Sequence, residues 1–192
     1  GLKLGVSASF NGDAAATTSA HAMENSMSFG ASYVTTAGDS TVTIGGGFFT
    51  GDTVATDATS DVQSTAVAMT AATGDLTVGL GYASGAYLKG NGVLDEQVTG
   101  ASATTAGVKY VSGDITFNLG FATGTGTDEF LGVAASASDT DSYEQTAASI
   151  GYAVASGVSA TIGYSERSRT TENSVSLAHS GSSWYIGADV SF

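Results

Sequence analysis

The side chains that most often carry enzyme chemistry are few in this sequence and are not spaced as catalytic or metal sites. The two histidines, His21 and His179, stand alone, and neither has the H-x-x-x-H spacing that brings two imidazoles to one zinc ion. Serine is so abundant that finding Ser, Asp and His together says little about a hydrolase site. We therefore predict no catalytic, cofactor-binding or metal-ligating residues.

Acidic residues occur in short clusters, and carboxylate oxygens are ligands that Ca²⁺ accepts. The clusters are Asp95-Glu96, Asp128-Glu129 and Asp139-x-Asp141, and none has the spacing of a Ca²⁺-binding loop. We predict solvated acidic loops, with Ca²⁺ at these loops as the alternative. Gly45-Gly46-Gly47 is no phosphate loop, because no Lys-Ser or Lys-Thr follows it.

Composition narrows the class of protein. The 192 residues include 27 Gly, no Pro and no Cys, which favours β structure and leaves no disulfide framework. With 5 Lys+Arg against 18 Asp+Glu, the net charge of -13 argues against nucleic acid or an anionic membrane surface as a partner. No apolar run approaches the roughly 18 residues of a spanning helix, so a membrane crossing would have to use strands.

One short pattern recurs at a spacing of roughly 40 residues, which indicates a repeating structural unit. In each copy a Gly-containing turn precedes an alternation of apolar with small polar residues, the period of a strand with two different faces. A second alternating run precedes each turn, so each copy is a hairpin. The turn-and-strand copies are 38–45, 74–82, 113–121 and 156–164, with a truncated copy at 1–6.

With the final run at 184–192, the repeats predict about ten strands of roughly 9 to 11 residues, the length that a tilted membrane strand needs. Longer polar stretches between the hairpins are predicted loops. They lie near residues 11 to 25, 51 to 61, 84 to 101, 123 to 142 and 166 to 181. We assign Val175 and Leu177 to the last loop, because an eleventh strand would break the even count of such barrels. The prediction is a single all-β domain at 1–192, an antiparallel up-and-down transmembrane β-barrel.

The two strand faces differ in a way that suits a barrel in lipid. A soluble sandwich would carry charge along its outer faces, whereas here the face opposite the apolar stripe carries Ser, Thr, Gly, Ala and Asn. Two alternatives remain open: an aromatic sandwich core and a secreted repetitive β-fibre or solenoid. Aromatic residues near strand ends on the apolar face are expected to form interfacial girdles. They are Phe10, Tyr33, Phe48, Tyr82, Tyr110, Phe121, Tyr152, Tyr164, Trp184 and Phe192.

The same alternation places Lys3, Lys109 and Arg167 on the face opposite the apolar stripe, as candidate pore-lining residues. Basic groups on a pore wall impose a field on passing ions and dipolar solutes. The alternative is that long cationic side chains simply prefer water to lipid. We expect Arg169 and Lys89 to be solvated surface residues.

The run that ends in Phe192 resembles the carboxyl-terminal strand of Gram-negative outer-membrane porins. Its apolar residues are Trp184, Ile186, Ala188 and Val190. The hairpin at 150–164 is similar to the penultimate hairpin of general porins of the alphaproteobacterial type. The resemblance extends over the whole chain, but such porins have sixteen strands, and this sequence begins within a strand.

The resemblance implies an integral protein of the outer membrane that forms a channel for passive diffusion of ions and small hydrophilic solutes, without enzymatic activity. It implies a homotrimer, with this chain as the last ten strands and the acids of the constriction loop in an earlier part. In the terminal strand it implies an assembly signal, Trp184, Ile186, Val190 and Phe192, for the barrel assembly machinery. The alternative functions are a surface adhesin or phage receptor and, third, a barrel hydrolase.

Overall fold

The computed structural model describes residues 1–9, 23–53, 62–90, 95–127, 140–170 and 179–190. These residues form ten β-strands. The strands are β1 (Leu2–Ser9), β2 (Met23–Ala37), β3 (Ser40–Thr53), β4 (Val62–Thr73), β5 (Leu76–Gly90), β6 (Asp95–Ser112), β7 (Ile115–Thr127), β8 (Thr140–Ala155), β9 (Val158–Thr170) and β10 (His179–Val190). A membrane-spanning helix is absent from the described ranges.

All ten strands belong to one sheet, in which every strand pairs antiparallel with its neighbours in the sequence, in the order β1 to β10. The fold is therefore the predicted all-β, up-and-down arrangement, and the predicted count of ten strands is confirmed. Within the described part, β1 and β10 form the two edges of the sheet.

All the strands except β1 are longer than the sequence predicted. They run from 8 residues in β1 to 18 in β6, and several continue into stretches that we expected to be loops. The largest difference is at the predicted loop 84–101, where β5 continues to Gly90 and β6 begins at Asp95. The reason is that backbone hydrogen bonds hold a ladder together, so pairing continues after the apolar alternation has stopped.

Tight turns join the strands at one end of the sheet. Gly38, Gly74 and Gly113 each stand first in a two-residue turn followed by Asp, with φ of 60°, 54° and 58°. The fourth turn has Gly157 in second place, with φ of 76°. Only glycine adopts these angles without steric cost, so the recurring Gly of the repeat closes the hairpins.

The register separates two faces, because directly paired residues project to the same side of a sheet. Leu2, Tyr33, Ile44, Met69 and Leu80 are consecutive partners on one side, which we call the apolar face. The opposite side carries small and hydroxyl-bearing residues and is called the polar face.

The sheet has almost no apolar core. Val62, 4% exposed, is the one large apolar side chain buried within the described part of the chain. The apolar face is open instead: Leu4 is 64% exposed and Ile186 is 83% exposed. On β2 the residues of the polar face, such as Ser26 and Ser28, are half-buried, whereas Met27 and Phe29 are exposed. No second layer of described residues covers the polar face.

Candidate functional site: the polar face

The polar face is built from residues that leave room above the sheet. Glycines pair with one another across β5, β6 and β7, where Gly79 is opposite Gly107 and Gly107 is opposite Gly120. Hydroxyl groups bond across neighbouring strands, as between Ser7 and Ser28 at 2.7 Å and between Ser165 and Ser183 at 2.8 Å. These bonds satisfy the hydroxyl groups within the sheet itself.

The three predicted basic residues lie on the polar face, but not at one level. Lys3 and Arg167 share one row of paired residues, which crosses the sheet from β1 to β9. The row runs Lys3, Ser32, Gly45, Ala68, Gly81, Thr105, Ala122, Gln145, Arg167. Lys109 lies four residues beyond Thr105 on β6, roughly 13 Å nearer the turns. Within the described residues no carboxylate forms a salt bridge with any of the three. That this face lines a lumen stays a prediction.

Arg169 is not the solvated surface residue that we expected. It lies on the polar face of β9, and its Nη2 donates to Oδ2 of Asp141 on β8 at 3.2 Å, with both side chains partly buried. Asp141 is thus a strand residue, although its acid cluster was assigned to a loop. The pair neutralises the charge of Arg169, whereas Arg167 of β9 forms no salt bridge with another described residue. The side chain of Lys89 lies outside the described residues.

Acidic side chains are distributed differently from the basic ones. Glu144 and Glu166 are on the apolar face, beyond the aromatic residues and toward the end opposite the tight turns. On the polar face of the strands the described acids are Asp141, which is paired, and Asp189 near the end of β10, while Asp39, Asp75 and Asp114 lie in the tight turns. The polar face therefore carries unpaired basic groups in a chain whose net charge is -13.

The sequence did not single out the residues that flank Lys109. In the register, Lys109 is opposite Asn118, Asn118 is opposite Ser149, and Ser149 is opposite Gly163, whose partner is Tyr185. Nδ2 of Asn118 donates to Oγ of Ser149 at 3.1 Å. The alternation predicts the polar face for each residue, but their proximity depends on pairing across five strands.

Every described aromatic residue of the predicted girdles lies on the apolar face. On β9 and β10 the rings of Tyr164 and Trp184 pack together, with centroids 4.8 Å apart and planes at 52°. The hydroxyl of Tyr164 donates to Glu166 at 3.4 Å, so the ring is apolar on its body and polar at its tip. An aromatic residue of this kind suits a boundary between lipid and water.

The residues of the predicted assembly signal follow the same face. Trp184, Ile186 and Val190 are exposed on the apolar face of β10, while Phe192 lies outside the described residues. Their role in assembly stays a prediction.

His21 also lies outside the described ranges, and His179 is the first residue of β10, opposite Arg169. No group of three His, Cys, Asp or Glu residues able to hold a metal ion occurs within those ranges. Of the acids predicted to lie in loops, Asp95 and Glu96 are instead in β6, while Asp128, Glu129 and Asp139 lie outside the described residues.

Solved structures of Pseudomonas aeruginosa OccK2 (OpdF) are similar to this sheet. One aligns with a TM-score of 0.64 at 14% identity, covering 85% of this chain and 49% of that chain. A second, OccK2 in complex with glucuronate, aligns with a TM-score of 0.65 at 15% identity, covering 85% and 50%. Neither the protein-family models nor the curated protein sequences give a match. At this identity the likeness establishes the fold, and the chain spans about half the length of the structures it matches.

Proposed function

We propose that this chain forms part of the wall of a β-barrel channel in the outer membrane of a Gram-negative bacterium. Ions and small hydrophilic solutes diffuse passively through this channel. The observation that carries the proposal is a single sheet with an exposed apolar face, a polar opposite face and almost no apolar core among the described residues. No reaction is assigned to the chain.

The apolar face needs an apolar solvent. Burying one Val, Leu, Ile, Phe or Met side chain is favourable by about 1.5–3 kcal/mol, and the described strands leave such residues exposed from β1 to β10. A water-soluble domain of this size would place them in a core. Lipid chains supply the same burial without a second protein layer, and the paired strands satisfy the backbone hydrogen bonds that lipid cannot.

The matched structures agree with a channel. OccK2 is an outer-membrane porin, and one of its structures contains glucuronate, a small hydrophilic solute. Because this chain covers about half of those structures, a closed channel, its assembly as a trimer and its insertion by the barrel assembly machinery all belong to the proposal. The alphaproteobacterial type of general porin is likewise part of it.

The polar face supplies the properties of the wall. Small residues leave the passage wide, hydroxyl groups replace part of the hydration of a solute, and Lys3, Lys109 and Arg167 give the wall a positive field. We propose that this field makes the channel favour anions, although the whole chain is acidic.

Planar-bilayer conductance of the intact protein, purified from its source membrane, tests the proposal. We expect stable current steps, closing in groups of three if the protein is a trimer, with a reversal potential in a KCl gradient that indicates a preference for chloride. A folded protein that inserts into the bilayer and passes no current would contradict the channel. Binding assays on the long loops would then test a role as a surface receptor.

A further inference from the structure

We propose that the polar face contains a binding site for a hydroxylated carboxylate of about one sugar ring, with Lys109 as the group that selects the carboxylate. This inference rests on the proposed function, since it names the class of solute that the wall would retain. The site is defined by a hollow in the polar face, the side chains at its rim and the charge around it.

The hollow exists because three neighbouring strands have no side chain at the same level. Gly79, Gly107 and Gly120 are consecutive partners, and they lie between Thr70 of β4 and Ala147 of β8 in the same row. A Cβ built on Gly120 would have no atom within 4 Å, so the space above it is empty. The hollow measures about 410 Å³, within the range of ~300–1,000 Å³ for small-molecule sites.

The rim offers the groups that a hydroxylated acid requires. The row next to the glycines carries Lys109, Asn118 and Ser149, and all three line the hollow. The 3.1 Å bond from Asn118 to Ser149 uses one amide N–H, which leaves a second N–H, the amide oxygen and the serine hydroxyl hydrogen. Ring hydroxyls both donate and accept, so this pair suits a diol, while the Lys109 ammonium suits a carboxylate.

An aromatic ring continues the floor of the hollow on one side. Tyr185, in the same row as Ser149, lines the hollow, and its ring lies over Gly163. The ring offers an apolar surface to the carbon side of a sugar and a hydroxyl at its edge. A few polar groups beside an aromatic surface are typical of small-molecule sites.

The charge on the lining of the hollow is basic. Among the described strand residues of the polar face, Asp141 is bonded to Arg169 toward the other end of the strands, and Asp189 is four residues beyond Tyr185 on β10. The turn residues Asp75 and Asp114 lie beyond Thr77 and Asn118, at the turn end of the sheet, and do not line the hollow. Neither lines the hollow, so Lys109 is the one charged group among its lining residues.

Solute block of the ion current tests the site. With the intact protein in planar bilayers, we expect D-galacturonate to reduce the current in a saturable way. D-galactose, which has the same ring without the carboxylate, should require a concentration roughly 10-fold higher or more, because a charge-assisted hydrogen bond is lost. In the variant Lys109→Gln, the galacturonate concentration that blocks half of the current should rise to that of galactose.

A second variant separates the hollow from the charge. Gly120→Val places a side chain in the hollow, where a Cβ would have no atom within 4 Å, and it should weaken the block by both sugars while Lys109 remains. Gly5→Val is the matched control, because Gly5 also lies on the polar face with no atom within 4 Å of a built Cβ. Gly5→Val should leave the current block by both sugars unchanged.

The outcomes distinguish the two proposals. A protein that conducts but responds equally to galacturonate and galactose would overturn this site and leave the channel standing. So would full galacturonate block in both Lys109→Gln and Gly120→Val. A folded, inserted protein without any current would contradict the channel, and the site with it.

Discussion

At the scale of single residues, two tyrosines of the polar face lie against glycines. The ring of Tyr185 lies over Gly163 of β9, and the ring of Tyr143 lies over Gly124 of β7; a Cβ on either glycine would overlap ring atoms. Each glycine thus lets a large ring lie along the sheet instead of standing above it. The rings occupy little of the space above the polar face for this reason.

We predict that Gly163→Val pushes the Tyr185 ring away from the sheet. The variant should have a smaller single-channel conductance, and a stability about 1–3 kcal/mol lower because of overpacking. Gly187→Val on β10 is the control, since a Cβ there has no atom within 4 Å. Conductance and thermal unfolding in detergent measure both effects, and a Gly163→Val protein equal to the control would show that the contact is unimportant.

Charge at Lys109 gives a second prediction at this scale. Because Lys109 lies on the polar face without a salt bridge to a described carboxylate, Lys109→Glu should move the ion selectivity toward cations. Reversal potentials in a KCl gradient measure the shift, with Lys109→Gln expected to lie between the two. Unchanged selectivity in both variants would remove Lys109 from the wall.

At the scale of elements, the hairpin is the unit on which the sheet depends. Each tight turn contains a glycine with positive φ, and the strand that follows repeats the same alternation of residues. The turn fixes the register, and the register places every following side chain on its face, because a slip of one residue would exchange the two faces.

We predict that Gly113→Val destabilises the β6–β7 hairpin. At φ of 58° a β-branched residue is strained, because the left-handed conformation costs roughly 1–2 kcal/mol in residues other than glycine. Gly113→Asn should lose much less stability, since Asn tolerates this conformation. Urea unfolding from lipid vesicles measures the difference, and equal midpoints for the two variants would contradict the role of the turn.

The assignment of faces can be tested on adjacent residues of β10. Ile186 is on the apolar face and Gly187 is on the polar face. Ile186→Lys should cost about 2–4 kcal/mol if it lies near the middle of the bilayer, whereas Gly187→Lys should be tolerated. Folding yield in lipid vesicles at increasing urea compares them. A greater loss for Gly187→Lys would reverse the faces.

The pattern of the sequence predicted the strands and their faces wherever apolar and polar residues alternate, as at Leu2–Val6, and the turns wherever glycine interrupts them. It did not predict the strand ends in polar stretches such as 95–101, because backbone pairing there leaves no side-chain period. It also missed the bond between Arg169 and Asp141. That contact depends on the register of β8 against β9, and no local pattern contains it.

At the scale of the whole molecule, charge and apolarity are sorted by position. The chain carries a net charge of -13, yet Lys3, Lys109 and Arg167 all lie on the polar face. Exposed apolar side chains occupy the other face from β1 to β10. Net charge alone would predict a preference for cations, whereas the position of the charges predicts the reverse. In the proposed channel the local arrangement decides, because solutes would pass within a Debye length of the polar face, about 10 Å at 0.1 M salt.

The order of the strands has a mechanical consequence. Each strand pairs with its sequence neighbours, in order. A pulling force on one end of the chain would therefore separate the strands in sequence, one hairpin at a time. Each rupture should release roughly 40 residues, or about 140 Å of extended chain. Atomic-force pulling from a bilayer would show a regular sawtooth of that period. A single long rupture would mean that the hairpins yield together and that the sheet resists force as one body.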